Sequence, residues 1–169
     1  MRTVVADSGP LRYLVLIGEI DILPKVVGEV LIPPEVRYEL DRPETPASVR
    51  AWIAARPSWL AVQPGPAVTD PALARLDPGE RAAIALAASI GADAVLMDDR
   101  AGVAVALAKG LAVLGTLGVL DRAAQRGLID LEGAFTRLRA TNFRYPAALL
   151  DTLLDKHRRR ADREQPDGA

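Results

Sequence analysis

The chain has 169 residues, which fits a single domain, and half of them are hydrophobic, which is enough for a sizeable core. It contains no Cys, so disulfide bonds and thiolate metal sites are excluded. Its net charge of −1 means that the chain as a whole has no excess of positive charge to attract nucleic acid. No apolar run approaches the roughly 18 residues of a membrane helix and the N-terminal run is too short for a signal peptide, so we expect a cytoplasmic protein without membrane association.

Short apolar strands alternate with helices along the chain. The pattern predicts strands at residues 3–6, 29–32, 60–62, 94–97 and 111–114. It predicts helices at residues 11–17, 20–27, 34–40, 45–55, 78–90, 101–109, 115–126, 131–140 and 146–156. Continuously apolar strands that alternate with helices indicate a parallel sheet buried on both faces. We therefore predict one α/β domain of three α/β/α layers over residues 1–157, followed by a basic, disordered tail over residues 158–169.

The clearest local signal is the start of the helix at residue 78. Asp77 stands at the cap position, Pro78 at the first helical position and Glu80 three residues after the cap, which is the arrangement of a capping box. The helix is predicted to end at Gly91, a residue type that is common just after a helix. Glu80 therefore has a good structural explanation, whatever else it does.

Carboxylates follow two of the predicted strands at the points where these strands end. Asp7 comes directly after the first strand, and Asp98 and Asp99 follow the strand that ends at Met97. Ligands of open parallel sheets bind beyond the carboxyl ends of the strands. If the two strands are neighbours, these acids repel one another, and a hard divalent cation such as Mg²⁺ or Mn²⁺ would relieve the repulsion.

Each of these acids also has an ordinary explanation. Asp7 could cap the helix that follows it, and Asp98 and Asp99 could form a turn and a cap. Asp99 could instead pair with Arg100 at the surface. Glu39, on the helix after two consecutive prolines, could be a solvated surface residue. No single acid distinguishes a metal site from these alternatives.

Five stretches of the sequence carry a family resemblance. They are Val5-Ala6-Asp7-Ser8-Gly9-Pro10-Leu11; Val30-Leu31-Ile32-Pro33-Pro34 with Glu39-Leu40; Leu76-Asp77-Pro78-Gly79-Glu80 with Ala83-Ile84-Ala85-Leu86-Ala87; Leu96-Met97-Asp98-Asp99-Arg100; and Gly115-Thr116-Leu117-Gly118-Val119-Leu120. In this order and with this spacing they resemble the PIN-domain family, specifically a VapC-like subgroup of small prokaryotic PIN proteins, over about residues 3 to 145.

The resemblance implies a metal-dependent ribonuclease of α/β/α architecture with its acids at one pole. Asp7, Glu39, Glu80 and Asp98 occupy the acidic positions of the family, and Asp99 is an additional or alternative ligand. Asp7 and Asp98 would bind Mg²⁺ or Mn²⁺ directly, while Glu80 and Glu39 would assist through water or a second ion. VapC-like proteins typically have Asp where Glu80 stands, so this longer side chain is a departure from the pattern.

Two hydroxyl side chains and several cations complete the predicted site. Ser8 and Thr116 fall at hydroxyl-bearing positions of the family, close to the acids. The substrate would be RNA, with single-stranded or looped RNA favoured because its bases can be splayed out. Arg12, Arg81 and Arg100 are candidates for phosphate contacts, as are the basic residues near the C-terminus, although a terminal charge run is also typical of a solvated tail.

A VapC-like protein is further expected to pair with an antitoxin protein and to form a homodimer. The apolar stretches 114–120 and 149–154 are candidates for the dimer interface, although a place in the core explains them equally well. Both partners are implied by the resemblance alone.

Two other functional classes remain open. A phosphotransfer enzyme or receiver domain also places acids at strand ends, but Asp7 is followed by Ser8-Gly9 rather than by the Asp-x-Asp pattern of a dehalogenase-type phosphatase. A receiver would carry a Lys after the last strand, where this chain has Gly115-Thr116. The other class is a catalytically silent PIN-like binding module, which would bind neither Mg²⁺ nor Mn²⁺. The presence of an acid at every acidic position argues against it.

Overall fold

The computed structural model describes residues 3–164. The strands are β1 (Thr3–Ala6), β2 (Glu29–Ile32), β3 (Leu60–Val62), β4 (Ala94–Leu96) and β5 (Val113–Leu114). The α-helices of the described residues are α1 (Ser8–Leu16), α2 (Leu23–Val27), α3 (Pro34–Leu40), α4 (Ala47–Ala55), α5 (Pro78–Ile90), α6 (Arg100–Ala108), α7 (Thr116–Gln125), α8 (Leu131–Arg139) and α9 (Ala147–Glu164). None of the helices in this range is both long and apolar enough to cross a membrane.

The strand order places the ends of β1 and β4 side by side. The order across the sheet is β3-β2-β1-β4-β5, and every neighbouring pair is parallel. The chain winds outward from β1 to β3 and then returns to the other side of β1, so the winding reverses between β1 and β4. Ala6 pairs with Leu96 in register, and the amide of Asp7 donates to the carbonyl oxygen of Leu96 at 2.9 Å. Ligands bind at such a switch point in open parallel sheets.

The sheet is buried on both faces, as its apolar strands predict. Successive side chains of a strand point to opposite faces. In β1, Val4 and Ala6 pack into a core that includes residues of α1, α2, α7, α8 and α9, whereas Val5 packs into a second core with α5 and α6. The predicted three-layer α/β/α architecture is therefore confirmed, and the two cores fix the positions of the strand ends.

Helix α1 begins earlier than predicted. It starts at Ser8, directly after Asp7, rather than at residue 11. Pro10 lies in the first turn, where its missing N–H group has no helical partner to lose. The earlier start brings the N-terminus of α1 to the carboxyl end of β1, beside the predicted acids.

Helix α9 is longer than predicted, which corrects the expectation of a disordered tail. Residues 158–164 are helical, while residues 165–169 lie outside the described residues. Two buried leucines anchor this helix to the core, and Arg158 pairs with Glu132 of α8 at 3.0 Å. The domain boundary at residue 157 stays a prediction.

The two stretches considered for a dimer interface lie largely inside this chain. In the first, Val119 and Leu120 are fully buried, and in the second, Leu150 is fully buried while Leu149 is exposed. Packing of α7 and α9 against the larger core explains the buried apolar residues of both stretches but not the exposed Leu149.

Candidate active site

Asp7 is a buried carboxylate with an unsatisfied oxygen. It stands at the N-cap position of α1, but its side chain makes no cap hydrogen bond, so the capping explanation was wrong. The residue is only 6% exposed, and Oδ1 has no hydrogen-bond partner among the described residues. Burial raises the pKa of Asp7 from 3.8 to about 7; the Ser8 amide opposes this rise, and repulsion from Glu80, Glu39 and Asp98 adds to it.

Asp98 is held in one orientation by Thr116. The Thr116 amide donates to Oδ1 at 2.7 Å, and its hydroxyl donates to Oδ2 at 2.6 Å. Thr116 is fully buried at the first turn of α7, where the helix N-terminus favours a negative charge. Burial nevertheless raises the pKa of Asp98, and the two hydrogen bonds only partly oppose this effect. A Cβ at Gly115 would lie 2.9 Å from Oδ1 of Asp98, so this close approach requires glycine.

Glu39 joins three helices at the same pole. Its Oε2 accepts a hydrogen bond from the Ser8 hydroxyl at 2.9 Å, and its Oε1 accepts one from the Gly79 amide at 3.0 Å. The Glu39 carboxylate on α3 thus meets the N-termini of α1 and α5. The alternative of an ordinary solvated residue was wrong for Glu39, since both of its oxygens are engaged.

Glu80 serves as a helix cap and also contributes to the acidic cluster. Its Oε2 accepts a hydrogen bond from the Asp77 amide at 3.2 Å, as the capping box predicts. The side chain is nevertheless buried, with only 7% of the residue exposed. Burial raises the pKa of Glu80, and repulsion from Asp99, Asp77 and Glu39 adds to the rise, partly offset by the Asp77 amide. A surface cap would have no reason to be buried among other acids.

Asp99 differs from the other acids because it is exposed. Its Oδ1 accepts hydrogen bonds from the amides of Ala101 at 2.9 Å and Gly102 at 3.3 Å, and it therefore caps α6. The alternative explanation of Asp99 as a cap is confirmed. It still lies close enough to Glu80 to raise the pKa of that carboxyl group, so its place as an additional ligand stays a prediction.

The acids gather at one pole without forming a ready-made cage for an ion. Within residues 3–164, no group of three or more Asp, Glu or His side chains is arranged so that it could hold a metal ion. Glu39 and Asp98 direct both oxygens to protein donors, which leaves Oδ1 of Asp7 as the free buried acceptor. The chemistry of this donor set fits Mg²⁺ or Mn²⁺, because both prefer carboxylate oxygens. Side-chain rotation would be needed to bring three of them onto one ion.

A cavity with two arginines opens beside Glu39. It has a volume of about 270 Å³, and its walls include Arg12 and Arg42. The Nε atom of Arg12 is buried without a partner, and neither arginine belongs to an ion pair among residues 3–164. Of the three arginines predicted to contact phosphate, Arg12 borders the acids, whereas Arg81 lines a different hollow and Arg100 is exposed at the start of α6. No sequence motif marked Arg42.

Gly79→Ala is expected to reduce the activity of this site at least ~10-fold while leaving the fold intact. A Cβ there would lie 2.5 Å from Oε2 of Glu39, so the carboxylate must move away from the Ser8 hydroxyl and from the Gly79 amide. Stability should fall by only ~1 kcal/mol, because the obstructing atoms are the end of a side chain. Thermal unfolding measures the effect on stability, and an activity assay measures the effect on the site. Gly133→Ala is the matched control, since its Cβ would crowd Oδ2 of Asp130 at the same 2.5 Å, and an equal loss of activity there would contradict the assignment.

Of the three comparisons with known proteins, one found a match. The model of the family DUF3368, described as a PIN domain, matches residues 3–159, which include β1, all the acids described above and most of α9. The comparison with curated proteins and the comparison with solved structures found no match. PIN domains are generally nucleases, and they generally use divalent metals. The chain belongs to the DUF3368 family of PIN domains.

Proposed function

We propose that this PIN domain is a divalent-metal-dependent endoribonuclease, with Asp7, Glu80 and Asp98 as metal ligands, Glu39 as a further catalytic acid and Asp99 as an additional ligand. The observation that carries the proposal is the Asp7 carboxylate, which is buried at the switch point with one oxygen unsatisfied. A buried, unpaired carboxylate destabilises a fold. A bound cation removes that cost above the pKa of Asp7, and Asp7 makes no cap hydrogen bond that would remove it.

The side chains around the acids have distinct tasks in this proposal. Bound Mg²⁺ or Mn²⁺ would polarise the scissile phosphate and lower the pKa of a water molecule. Thr116 keeps Asp98 in a fixed orientation, the Ser8 hydroxyl and the Gly79 amide keep Glu39 in place, and Asp7 presents its free oxygen. Because protons compete for carboxylates whose pKa is raised, metal affinity should increase as pH rises through about 7.

Single-stranded or looped RNA is the proposed substrate. The cavity beside Glu39 is open, and it supplies the cations that a polyanion needs near an acidic pole, namely Arg12 and Arg42. We also propose that the protein is the toxin of a toxin–antitoxin pair, that an antitoxin covers this pole and that the protein is a homodimer. Support for these three points is the resemblance of stretches such as residues 5–11 and 96–100 to VapC-like proteins.

A catalytically silent PIN-like binding module is the second candidate. It is favoured by one observation, the lack of any group of three acids in residues 3–164 that could hold an ion without rearrangement. The same observation is compatible with a metal-dependent enzyme, because Glu39, Glu80 and Asp98 accept hydrogen bonds from protein donors in their present orientations and would turn toward an ion that neutralises them.

The test is cleavage of end-labelled single-stranded RNA, hairpin RNA and single-stranded DNA of the same sequence, each with Mg²⁺, Mn²⁺ or EDTA. We expect RNA to be cut at internal positions with either metal and to remain intact in EDTA. Cleavage that persists in EDTA would contradict the metal dependence. Intact RNA in all reactions, together with no thermal shift on addition of millimolar Mg²⁺ or Mn²⁺, would favour the silent module.

A further inference from the structure

Tyr38 is an aromatic residue exposed at the edge of the acidic pole. Among the large hydrophobic side chains of residues 3–164, five are exposed, and Tyr38 is the most exposed of them at 68%. It precedes Glu39 on α3, so its Cα lies about 3.8 Å from that of a residue whose carboxylate belongs to the acidic cluster. The protein therefore displays an exposed aromatic ring on the residue next to Glu39, one of its candidate catalytic acids.

A guanidinium group accompanies this ring. The Cζ atom of Arg42 lies 5.4 Å from the centroid of the Tyr38 ring, within the range of a cation–π contact. Arg42 follows α3 in the turn after its last residue and belongs to no ion pair in the described part of the chain. Its charge is thus available to an anion close to the Tyr38 ring.

Two adjoining hollows share Arg42. One, of about 340 Å³, lies over Tyr38 and has the rings of Pro34 and Pro78 in its wall. The other is the cavity of about 270 Å³ that contains Arg12 as well as Arg42. Glu39 and Pro78 also line both hollows. The hollow with the Tyr38 ring and two prolines therefore adjoins a polar pocket with two arginines, and the candidate catalytic acid Glu39 lines both.

The remaining charges decide which ligand fits. Glu35 lines the apolar hollow, and Glu44 and Asp77 line the polar one. This mixture of acidic and basic side chains is unfavourable for a duplex, because many of its phosphates would be repelled by the acids. A single strand carries fewer phosphates per unit length and has free base faces, which aromatic rings and arginine planes bind.

We propose that Tyr38 and Arg42 form a nucleotide subsite for single-stranded RNA, in which a base stacks on the exposed face of Tyr38 and the adjoining phosphate contacts Arg42 and Arg12. The proposal rests on the proposed function and adds the path of the strand, which runs along α3 past Glu39. The stacked base belongs to a nucleotide within one or two positions of the bond that is cut. Tyr38 is a binding residue and takes no part in the chemical step.

The test is binding of a single-stranded RNA that carries 2-aminopurine, whose fluorescence is quenched when it stacks, with EDTA present to keep the strand intact. Tyr38→Ala is expected to weaken binding by about 5- to 150-fold and to abolish the quenching, since a base–aromatic stack contributes that much. Tyr38→Phe should retain both affinity and quenching. Leu107→Ala is the matched surface control, because Leu107 is 56% exposed on α6, and it should behave as the wild type.

The salt dependence of RNA affinity distinguishes the phosphate contact of Arg42 from the stacking of a base on Tyr38. Arg42→Ala should reduce the slope of log Kd against log salt concentration by about 0.7, the value for one phosphate contact to a single strand. In the presence of metal, Tyr38→Ala should raise KM and leave kcat unchanged. The Tm of each variant should stay within about 2 °C of the wild type, as expected for surface positions.

Any of three results of the binding experiments would overturn the subsite. The first is an unchanged affinity for RNA in Tyr38→Ala, and the second is an equal loss of affinity in Tyr38→Ala and Tyr38→Phe. The third is a duplex RNA that binds as tightly as the single strand and whose affinity also falls in Tyr38→Ala. If the wild type cuts RNA and Tyr38→Ala cuts it with the same KM, the subsite fails and the nuclease proposal stands. If no form cuts RNA but binding depends on the Tyr38 ring, the nuclease proposal fails and the subsite stands.

Discussion

Asp7→Asn should lower RNA cleavage by about 1,000-fold or more and should also make the metal-free protein more stable at pH 8. Activity falls because Asn keeps the shape of the side chain but supplies a neutral, weaker ligand to a divalent cation. Stability rises because the substitution removes a buried negative charge whose Oδ1 has no partner. A purely structural Asp7 would give the opposite change in stability.

The pH dependence of stability follows from the raised pKa of Asp7. The folded protein holds this proton up to about pH 7, whereas the unfolded chain releases it near 3.8. The stability contributed by the protonated group is fully present below pH 3.8, is lost progressively as the pH rises to about 7, and changes no further above that. At ~1.4 kcal/mol per pKa unit, the loss is on the order of 4 kcal/mol at most.

The free energy of unfolding of the wild type and of Asp7→Asn can be compared by chemical denaturation between pH 4 and pH 8, with EDTA present to remove metal. The stability gap should widen in favour of Asp7→Asn as the pH rises toward 7. Asp21→Asn, at an exposed position, is the control and should follow the wild type in both stability and cleavage. Cleavage by folded Asp7→Asn at the wild-type rate would exclude Asp7 from the site.

Thr116→Val is the second substitution with a large expected effect. Valine matches the shape of threonine but cannot donate the hydrogen bond of 2.6 Å to Oδ2 of Asp98. Loss of a partner that orients a metal ligand typically lowers metal affinity or activity by about 10- to 100-fold. Because Thr116 is fully buried, stability should also fall, by ~1–3 kcal/mol, as Oδ2 is left unsatisfied.

Thr116→Ser distinguishes the hydroxyl from the methyl group. Serine can still donate to Oδ2, so its cleavage rate and metal requirement should stay near those of the wild type, with a small loss of stability from the missing methyl group. Cleavage rates measured over a series of Mn²⁺ concentrations report the effect on metal affinity directly. If Thr116→Val and Thr116→Ser show the same Mn²⁺ requirement, the hydroxyl does not position Asp98.

Much of the fold follows from local sequence signals. The acid, proline and glutamate at residues 77, 78 and 80 give a capping box, and α5 begins where that motif predicts. Helix α3 has the predicted bounds because Pro34 fixes its first position. The end of α9 could not be predicted in this way, since basic residues in a terminal run are equally compatible with a solvated tail. In the extended part, Arg158 pairs with Glu132 of α8, a contact between residues distant in sequence that no local signal predicts.

The candidate site was predictable only in part. The strand pattern places Asp7 and Asp98 at the ends of two strands without saying whether the strands are neighbours, and the strand order shows that β1 and β4 are adjacent. The bond from the Gly79 amide to Glu39 joins residues 40 positions apart, and no local signal predicts it. The exposure of Tyr38 likewise depends on which face of α3 packs against the core. Such features arise from tertiary packing, which residue types and spacing do not determine.

The most direct test of a metal site at the switch point is a titration of Mn²⁺ into metal-free protein at pH 8, followed by electron paramagnetic resonance, with RNA cleavage measured on the same samples. Wild type, Asp7→Asn and the control Asp21→Asn would be compared. We expect cleavage to rise in parallel with bound Mn²⁺ in the wild type and in Asp21→Asn. In folded Asp7→Asn we expect both the binding of Mn²⁺ and the cleavage of RNA to be lost. Mn²⁺ binding by Asp7→Asn with wild-type affinity would contradict the assignment of the carboxylates as the metal site.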